Sequence, residues 1–177
     1  MLATKHRFNP PGNTIVEGTR TVGGWGKSEI RSYLKDTIKP LISYNIRNRI
    51  NSVKKWNSSF NKTGTNTASM VADTLVDDIW IPGYKEIFGN TTNWETSGPT
   101  YSKLFNDDTS RIKAINENNT VWWLRSIFDT NYVYLIGLNG NLINTGGPSN
   151  SYGIALGFCL GLEPETITDD WSTIIAN

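Results

Sequence analysis

The stretch VWWLRSIFDTNYVYLIGLNGNLINTGGPSNSYGIALGFCL, residues 121–160, decides the fold of this chain. Its two ends, residues 121–126 and 151–160, are short, apolar and rich in aromatic residues, and turn residues border them. Such runs are typical of buried strands. The dipeptide Asn139-Gly140 lies between them, and Asn-Gly favours the two left-handed positions of a type I′ turn. The stretch therefore predicts two buried framing strands that hold a hairpin of mixed side chains.

The framed hairpin is poor in groups that could carry out a reaction. Catalysis needs titratable or nucleophilic side chains held close together, and the segment from Asn131 to Asn144 has few of them. A stable frame that presents an irregular surface suits binding better than catalysis.

The composition favours many short elements and ordered loops. Of 177 residues, 37% are hydrophobic and only 19% are charged, and Asn, Thr and Ser largely make up the difference. These side chains hydrogen-bond to nearby backbone and favour turns over long helices. Aromatic residues, including seven Trp, supply large buried areas instead. We expect one domain over residues 1–160 and a tail with a short helix over residues 161–177.

Charge and hydropathy argue against two kinds of partner. The net charge of +1 does not indicate a nucleic-acid partner, because proteins that bind nucleic acid usually show a concentrated basic face, so none is expected. No apolar run approaches the roughly twenty residues that span a bilayer, so no membrane insertion is expected. The start of the chain, Met1 to Phe8, carries three basic residues and lacks the apolar stretch of a signal peptide. It looks like a domain boundary, which suggests a fragment of a longer protein.

Few side chains could form a catalytic or metal site. His6 is the lone histidine and has no potential ligand partner nearby. Cys159 lies in an apolar run, where a buried inert thiol is the usual state. Arg125 follows buried positions and is expected to form an ion pair with Glu86 or Asp129. We therefore predict a protein that is not an enzyme and needs no cofactor or metal.

Helical signals concentrate near the start of the chain. Ser28 can cap a first helix that Pro40 closes, and a second short helix is expected from Ser43 to Ile50, with Ile46 and Ile50 turned inward. The apolar stripe of the first helix is Ile30, Leu34, Ile38 and Leu41.

The middle of the chain predicts short strands between loops. Val53 to Trp56 is a candidate strand, and Asn57 to Ser69 is polar enough to be an exposed loop. Asp78 to Ile81 predicts a buried strand, and Tyr84 to Phe88 a single helical turn. Short strands mixed with early amphipathic helices indicate the α+β class.

The later part adds three further expectations. Trp94, in a polar loop, is expected to plug into the core. Asp107 or Asp108 can start a short helix that continues through Ile115. A last helix is expected over Asp169 to Ala176. Its apolar patch is Trp171, Ile174 and Ile175.

Four blocks in one order resemble a known family. They are GGW with SEIRSYL at 23–34, DIWIP with EIFG at 78–89, WWLRS at 122–126 and SNSYGIALGFC at 149–159. The chain resembles a family of domains of unassigned function found in gut Firmicutes and their phages. It looks like a relative of the C-type-lectin-like fold, in the branch of the formylglycine-generating enzymes. The resemblance covers about residues 20–160.

Several members of that fold are variable proteins of diversity-generating retroelements. In these systems, mutagenesis at template adenines changes Asn and Tyr codons near the C-terminal end of the fold into codons for many residue types. The resemblance implies that such a surface lies at residues 127–146. Its displayed, exchangeable side chains would be Phe128, Asp129, Asn131, Tyr132, Leu135, Gly137, Leu138, Asn141, Ile143, Asn144 and Thr145. The alternative is an ordinary hairpin of a structural domain.

The resemblance also raises two activities of related proteins, but this sequence lacks the residues that each of them needs. Formylglycine-generating enzymes bind copper through active-site cysteines, and this chain has only Cys159. Calcium-dependent sugar binding needs an acidic and amide cluster with a Glu-Pro-Asn type signature, which this chain lacks. Neither copper nor calcium is therefore expected.

Two functions follow as hypotheses. The first is a non-enzymatic adhesion domain on a phage virion or bacterial surface that binds a host-surface protein or glycan through residues 127–146. The second is a structural virion protein, a head or tail decoration without its own ligand, assembled through the apolar patch at Trp171. A homo-oligomer or fusion to a larger surface protein fits either hypothesis.

Overall fold

The structure is a computed structural model that describes Phe8 and residues 21–63, 67–90, 100, 101 and 103–161, without the side chains of residues 58–73. The described residues form a mixed α+β fold with a helical segment near the N-terminus and short antiparallel strands. This confirms the predicted α+β class. The expectations for His6, Trp94 and the helix at 169–176 lie outside the described residues.

The described helices are short: α1 (Glu29–Tyr33), α2 (Lys39–Leu41), α3 (Tyr44–Arg47), α4 (Tyr84–Phe88) and α5 (Asp108–Arg111), with a 3₁₀ turn at Trp25–Lys27 and a π-helical turn at Leu34–Ile38. The described strands are β1 (Ile50–Asn51), β2 (Val53–Thr63), β3 (Thr67–Asp77), β4 (Ala114–Ile115), β5 (Asn118–Asn119), β6 (Trp122–Ile127), β7 (Val133–Ile136), β8 (Leu142–Gly146) and β9 (Cys159–Leu160). None of the helices in these ranges is long and apolar enough to cross a membrane.

The first helix begins where the sequence predicts. The Ser28 hydroxyl accepts a hydrogen bond from the backbone N–H of Arg31 at 3.1 Å, which satisfies one of the free donors at the helix start. The first three residues of the predicted stripe pack into the core: Ile30, Leu34 and Ile38.

Leu41, the fourth residue of that stripe, is 77% exposed, so the prediction that it is buried is wrong. The π-helical turn Leu34–Ile38 has more residues per turn than an α-helix. The residues after it are therefore rotated away from the apolar stripe. Pro40, which has no N–H to donate, lies inside α2 rather than after it. The helical path ends one residue after the proline, at Leu41, and Ile42 is extended.

The second helix is shorter than predicted. It covers only Tyr44–Arg47, and Ile46 is 41% exposed rather than turned inward. Ile50 has left the helix and pairs with Leu160 across the two-stranded sheet β1–β9. Ile50 is therefore extended, and the predicted helix to Ile50 is wrong in its last three residues.

The predicted loop Asn57 to Ser69 is wrong as well. Strands β2 and β3 form one long antiparallel hairpin, with unbroken register from the Val53–Asp77 pair to the Thr63–Thr67 pair. Six of the seven residues 57–63 are polar and follow one another almost without interruption, so composition alone suggested a loop. Backbone hydrogen bonds between strands need no apolar side chain, so the strands can pair in spite of this polar composition.

The framing strand β6 is confirmed, and all six of its residues are buried. It pairs with β7, which pairs with β8, to form a three-stranded antiparallel sheet. Both faces of the sheet are packed. One face joins the main core through Trp123, Ile127, Val133 and Leu135. The other face belongs to a smaller cluster with Trp122, Leu124, Ile136 and Ile87.

The hairpin between β7 and β8 is confirmed, but its turn is not type I′. The N–H of Gly140 donates to the carbonyl of Gly137 at 3.0 Å, and the N–H of Gly137 donates to Asn141 at 2.8 Å. Gly140 has a φ of +79°, whereas Asn139 does not adopt positive φ. This is the pattern of a longer loop with one left-handed glycine after the turn.

The second framing strand, Ser151 to Leu160, is wrong as a continuous buried strand. It makes single bridges at Gly153 to Trp122 and at Gly157 to Trp80, and becomes a strand only in β9. Asp78 to Ile81, also predicted as a strand, is held by the same Trp80 bridge. Trp80 and Gly157 exchange two backbone hydrogen bonds, at 3.0 and 2.8 Å, and a Cβ on Gly157 would lie 3.3 Å from the Trp80 indole nitrogen.

Candidate functional site

A buried cluster of charged side chains holds strand β6 against its neighbours. The Arg125 guanidinium lies 2.5 Å from one carboxylate oxygen of Glu86, and the Lys55 ammonium lies 3.0 Å from the other. The Asn57 side-chain oxygen accepts from Nε of Arg125 at 2.7 Å. All four side chains are buried. The predicted ion pair of Arg125 is confirmed, with Glu86 as its partner.

Glu86 is held ionised at the centre of this cluster. Burial opposes its charge, but the two cations and the N–H of Gly83 at 3.0 Å outweigh that cost and lower the pKa of Glu86. Gly83 leaves room for the Arg125 fork, because a Cβ there would lie 2.9 Å from the guanidinium. The carboxylate thus ties α4 to β6.

Lys55 completes the cluster inside an aromatic pocket. Its ammonium lies 3.6 Å from the centroid of the Trp80 ring and 3.4 Å from the Tyr101 hydroxyl. Burial lowers the pKa of Lys55, although Glu86 opposes the shift, and burial also raises the pKa of Tyr101. Each charged group is buried and paired, so the cluster joins β2, α4 and β6 rather than facing a substrate.

The segment that follows β6 is a fixed loop at the surface. A carboxylate oxygen of Asp129 accepts from the backbone N–H groups of Asn131 at 2.7 Å and Tyr132 at 2.9 Å. The Thr21 hydroxyl donates to the backbone carbonyl of Asp129 at 2.7 Å, and its N–H donates to Thr130 at 3.1 Å. The loop therefore has one backbone shape set by a few polar contacts.

Most of the predicted site residues reach the surface. Phe128 is 36% exposed and Leu138 is 51% exposed. The other exposed members are Asn141, Asn144 and Thr145. The half-buried members are Asp129, Asn131, Tyr132 and Ile143.

The predicted display of Leu135 and Gly137 is wrong. Leu135 is 2% exposed, because it lies on the inward face of β7 opposite Ile143. Gly137 is buried at the hairpin end, where a Cβ would approach the Asn141 side-chain oxygen to 2.4 Å. Neither position can carry an exchangeable side chain without disturbing the sheet.

The exposed residues do not form one patch. Leu138 and Asn141 lie at the hairpin tip, whereas Phe128 lies at the other end of β7. Strand β7 has four residues, so it separates the two groups by roughly 13 Å. We call the end with Phe128 to Tyr132 and Asn144 to Thr145 the loop-end surface.

An aromatic row borders the loop-end surface and was not predicted. The rings of Phe128 and Tyr134 pack edge to face at 5.4 Å, and Tyr134 lies 4.9 Å from Tyr84. Tyr84 in turn lies 4.9 Å from Phe88, and all the rings except that of Phe128 are half-buried. The alternation of Val133, Tyr134 and Leu135 was the available signal, since it turns the middle ring to the opposite face.

The hairpin tip borders an open groove of about 350 Å³. Leu138 is the predicted site residue that lines it, and Asn119 donates to the Leu138 backbone carbonyl at 3.2 Å. The remaining lining residues are Ile115, Thr120, Val121, Ser151, Tyr152 and Gly153.

Groups suited to metal binding are not gathered in the described part of the chain. No three His, Cys, Asp or Glu side chains come together there. Cys159 is a free thiol and is half-buried rather than fully buried. The arrangement offers contact surface, with hydroxyl, amide and aromatic groups.

The fold and the exposed loops thus define a small α+β domain with a rigid frame. The chain belongs to the DUF6273 family, a domain of unknown function, whose sequence profile matches residues 12–162. No curated protein and no solved structure shows significant similarity to the chain.

Proposed function

We propose that this protein is a non-enzymatic adhesion domain that binds a host-surface protein or glycan through the loop-end surface. The contrast in burial within one short stretch carries this proposal. Trp122 and Trp123 are fully buried, whereas Phe128, a few residues later, is 36% exposed. The stability of the buried frame does not depend on the exposed side chains. Those side chains can therefore be exchanged without unfolding the domain.

The chemistry of the loop-end surface suits recognition. Tyr132 gives a rigid amphipathic contact at low entropy cost, and Asn131 and Asn144 give adaptable hydrogen bonds. Phe128 adds an apolar face beside the aromatic row. We assign ligand contact to this end and leave Leu135 and Gly137 out.

The finer assignment also belongs to this proposal. We propose a C-type-lectin-like fold of the kind used by variable proteins of diversity-generating retroelements, displayed on a phage virion or bacterial surface. The resemblance of the WWLRS and SNSYGIALGFC blocks supports it, as do the short strands and the loops that they hold.

A binding assay on intact cells tests the adhesive role. The fluorescently labelled protein is incubated with a panel of gut Firmicutes isolates and scored by flow cytometry. For an isolate that binds, Phe128→Ala with Tyr132→Ala should weaken attachment at least about tenfold, because truncated contact aromatics cost more than 1 kcal/mol each. The control is Leu104→Ala, since Leu104 is 72% exposed and lies outside this surface. Unchanged attachment by the folded double variant would overturn the assignment.

Sequencing tests the diversification. The coding region and its neighbourhood are sequenced across the source population, in search of a near-copy of the segment for residues 122–160. Differences confined to template adenines, at codons of the loop-end surface, would support the proposal. Constant codons at Phe128, Tyr132 and Asn144 with no near-copy would contradict it.

A further inference from the structure

The open groove of about 350 Å³ at the hairpin tip lies at the end of β7 opposite the loop-end surface. We call it the tip groove. Three stretches that are distant in the chain border it: Ile115 with residues 119–121, Leu138 at the tip, and residues 151–153. Its volume is at the low end of the roughly 300 to 1,000 Å³ of ligand pockets. The size therefore suits a small ligand or one unit of a larger one.

Hydrogen bonds between these stretches hold the walls of the tip groove in place. The N–H of Gly153 donates to the Val121 carbonyl at 2.8 Å, and the N–H of Trp123 donates to the Gly153 carbonyl at 3.0 Å. The Asn119 side-chain amide donates to the Leu138 carbonyl at 3.2 Å, which ties the hairpin tip to β5. Walls that are already fixed lose little conformational freedom when a ligand binds.

One part of the tip groove is apolar. Ile115, Val121 and Leu138 are its aliphatic lining residues, and Leu138 is 51% exposed. Tyr152 also lines the groove, and its ring centroid lies 5.0 Å from that of the fully buried Trp123. The Tyr152 ring is therefore anchored on the core. An aromatic ring has a negative face, which attracts the weakly positive C–H groups of a ligand.

The polar groups of the tip groove can both donate and accept hydrogen bonds. The Tyr152 hydroxyl accepts from Nδ2 of Asn150 at 2.9 Å, so its own hydrogen can be donated to a ligand. The Thr120 hydroxyl donates to the Asn118 carbonyl at 3.0 Å, so its oxygen can accept. The Asn119 amide donates through Nδ2, and its oxygen can accept as well.

The described residues that line the tip groove are all uncharged. A ligand with a phosphate, sulfate, carboxylate or ammonium group would lose hydration there without gaining an opposite charge. A neutral ligand avoids that cost. A pyranose sugar has C–H groups on one face and hydroxyl groups around its edge, and each hydroxyl both donates and accepts. Its chemistry therefore matches the apolar and polar parts of the groove.

We propose that the tip groove binds one neutral sugar unit, with the C–H face of the sugar against Tyr152 and Leu138. Asn119, Thr120 and the Tyr152 hydroxyl hold the sugar hydroxyls. The contacts use only neutral protein groups, so sugar binding should persist in EDTA and change little with salt. This site is separate from the loop-end surface and does not depend on the adhesive role proposed for that surface.

Two-dimensional NMR of the ¹⁵N-labelled full chain tests the sugar site. Methyl galactoside, methyl glucoside, methyl mannoside and N-acetylglucosamine are titrated in EDTA as neutral probes, with N-acetylneuraminic acid as the charged comparison. At least one neutral probe should shift the amide signals of Thr120, Leu138 and Gly153 in a saturable way, while those of Asn131 and Tyr132 stay unchanged. Absence of shifts with every neutral probe would overturn the proposal. Shifts confined to the loop-end surface, or a preference for the acidic sugar, would overturn it too.

Three variants make the result specific to the tip groove. Tyr152→Phe keeps the ring but removes the hydroxyl, and should weaken sugar binding by about 3- to 10-fold, as the loss of one neutral hydrogen bond does. Leu138→Glu places a carboxylate on the groove wall and should weaken it by at least about tenfold. Tyr44→Phe is the matched control, because Tyr44 is 67% exposed in α3, outside the groove. Equal affinities for all three variants and the unaltered protein would contradict a site in this groove.

Discussion

Strand β6 and the loop after it are neighbours in sequence but are held by different forces. Every residue of β6 is buried, and its one charged side chain is saturated by Glu86, Asn57 and backbone carbonyls. The loop after β6 instead depends on Asp129 and Thr21 for its shape, through hydrogen bonds to backbone.

This difference shows how a surface can vary while its scaffold stays fixed. Side chains of β6 make the contacts that determine stability, so substitution there is expensive. In the loop, backbone hydrogen bonds and the side chains of Asp129 and Thr21 set the shape, so the other side chains of the loop are not needed for it. Side chains such as those of Phe128 and Asn144 can then change at little cost.

The largest expected effect comes from truncating a buried side chain of strand β6. Trp123→Ala should reduce the free energy of unfolding by about 3 to 5 kcal/mol, because a fully buried indole leaves a large cavity. Leu138→Ala, at the exposed hairpin tip of the same stretch, should change it by less than about 0.5 kcal/mol. Urea denaturation compares the two variants, and similar losses would show that the frame and the hairpin are not distinct.

The next largest effect removes the charge that neutralises the buried cluster. Glu86→Gln leaves Lys55 and Arg125 buried without a counter-charge and should cost about 3 kcal/mol. Glu117→Gln is the control, because Glu117 is exposed in the turn between β4 and β5. Denaturant unfolding of both variants gives the comparison. A loss under about 1 kcal/mol for Glu86→Gln would mean that water reaches the cluster.

The same carboxylate predicts a dependence of stability on pH. The pKa of Glu86 is lowered in the folded protein, so its ionised form stabilises the fold fully above pH 5, and this contribution is lost as pH falls through the lowered value. The free energy of unfolding should therefore fall between pH 5 and pH 3. The slope should be shallower in Glu86→Gln.

Asp78 provides the matched comparison. Hydrogen bonds from Lys39 and Ser52 lower the pKa of Asp78 in the same way, but its side chain is 29% exposed. Asp78→Asn should therefore change the slope less than Glu86→Gln does. Equal slopes in all three proteins would refute a special role for the buried cluster.

Local signals in the sequence predicted the elements whose causes are local. The Ser28 cap, the helix Tyr84–Phe88 ended by Gly89 with its φ of +74°, and the Asp107 cap of α5 all depend on residues within one turn. The predicted extension of α5 through Ile115 is wrong, because the helix ends at Arg111 and Ile115 lies in β4. The apolar run of β6 also predicted a buried strand, because a short apolar segment rich in aromatic residues is typical of one.

The remaining features depend on partners that are distant in sequence. Lys55 lies 31 residues before Glu86, and nothing near it marks it as buried. The hairpin β2–β3 is formed by backbone pairing between residues up to 24 positions apart, and the polar run at residues 57–63 does not indicate this pairing. Likewise, the sequence does not show which side chains of β7 are buried, and the burial of Leu135 follows from the position of β7 between β6 and β8.

The smallest expected effect concerns Asp129, which lies between the buried strand β6 and the exposed side chains of the loop-end surface. Asp129 was predicted to be exchangeable, but its carboxylate accepts from two backbone N–H groups that shape the loop. Asp129→Ala should cost about 1 kcal/mol in unfolding free energy, whereas Asp129→Asn should cost less because the amide oxygen can still accept. If the alanine variant also loses cell binding while Asp129→Asn retains it, the loop shape rather than the carboxylate charge is what the ligand requires. Loss of binding in both variants would instead make Asp129 itself a contact, and the boundary between the two regions would lie one residue earlier, at Phe128.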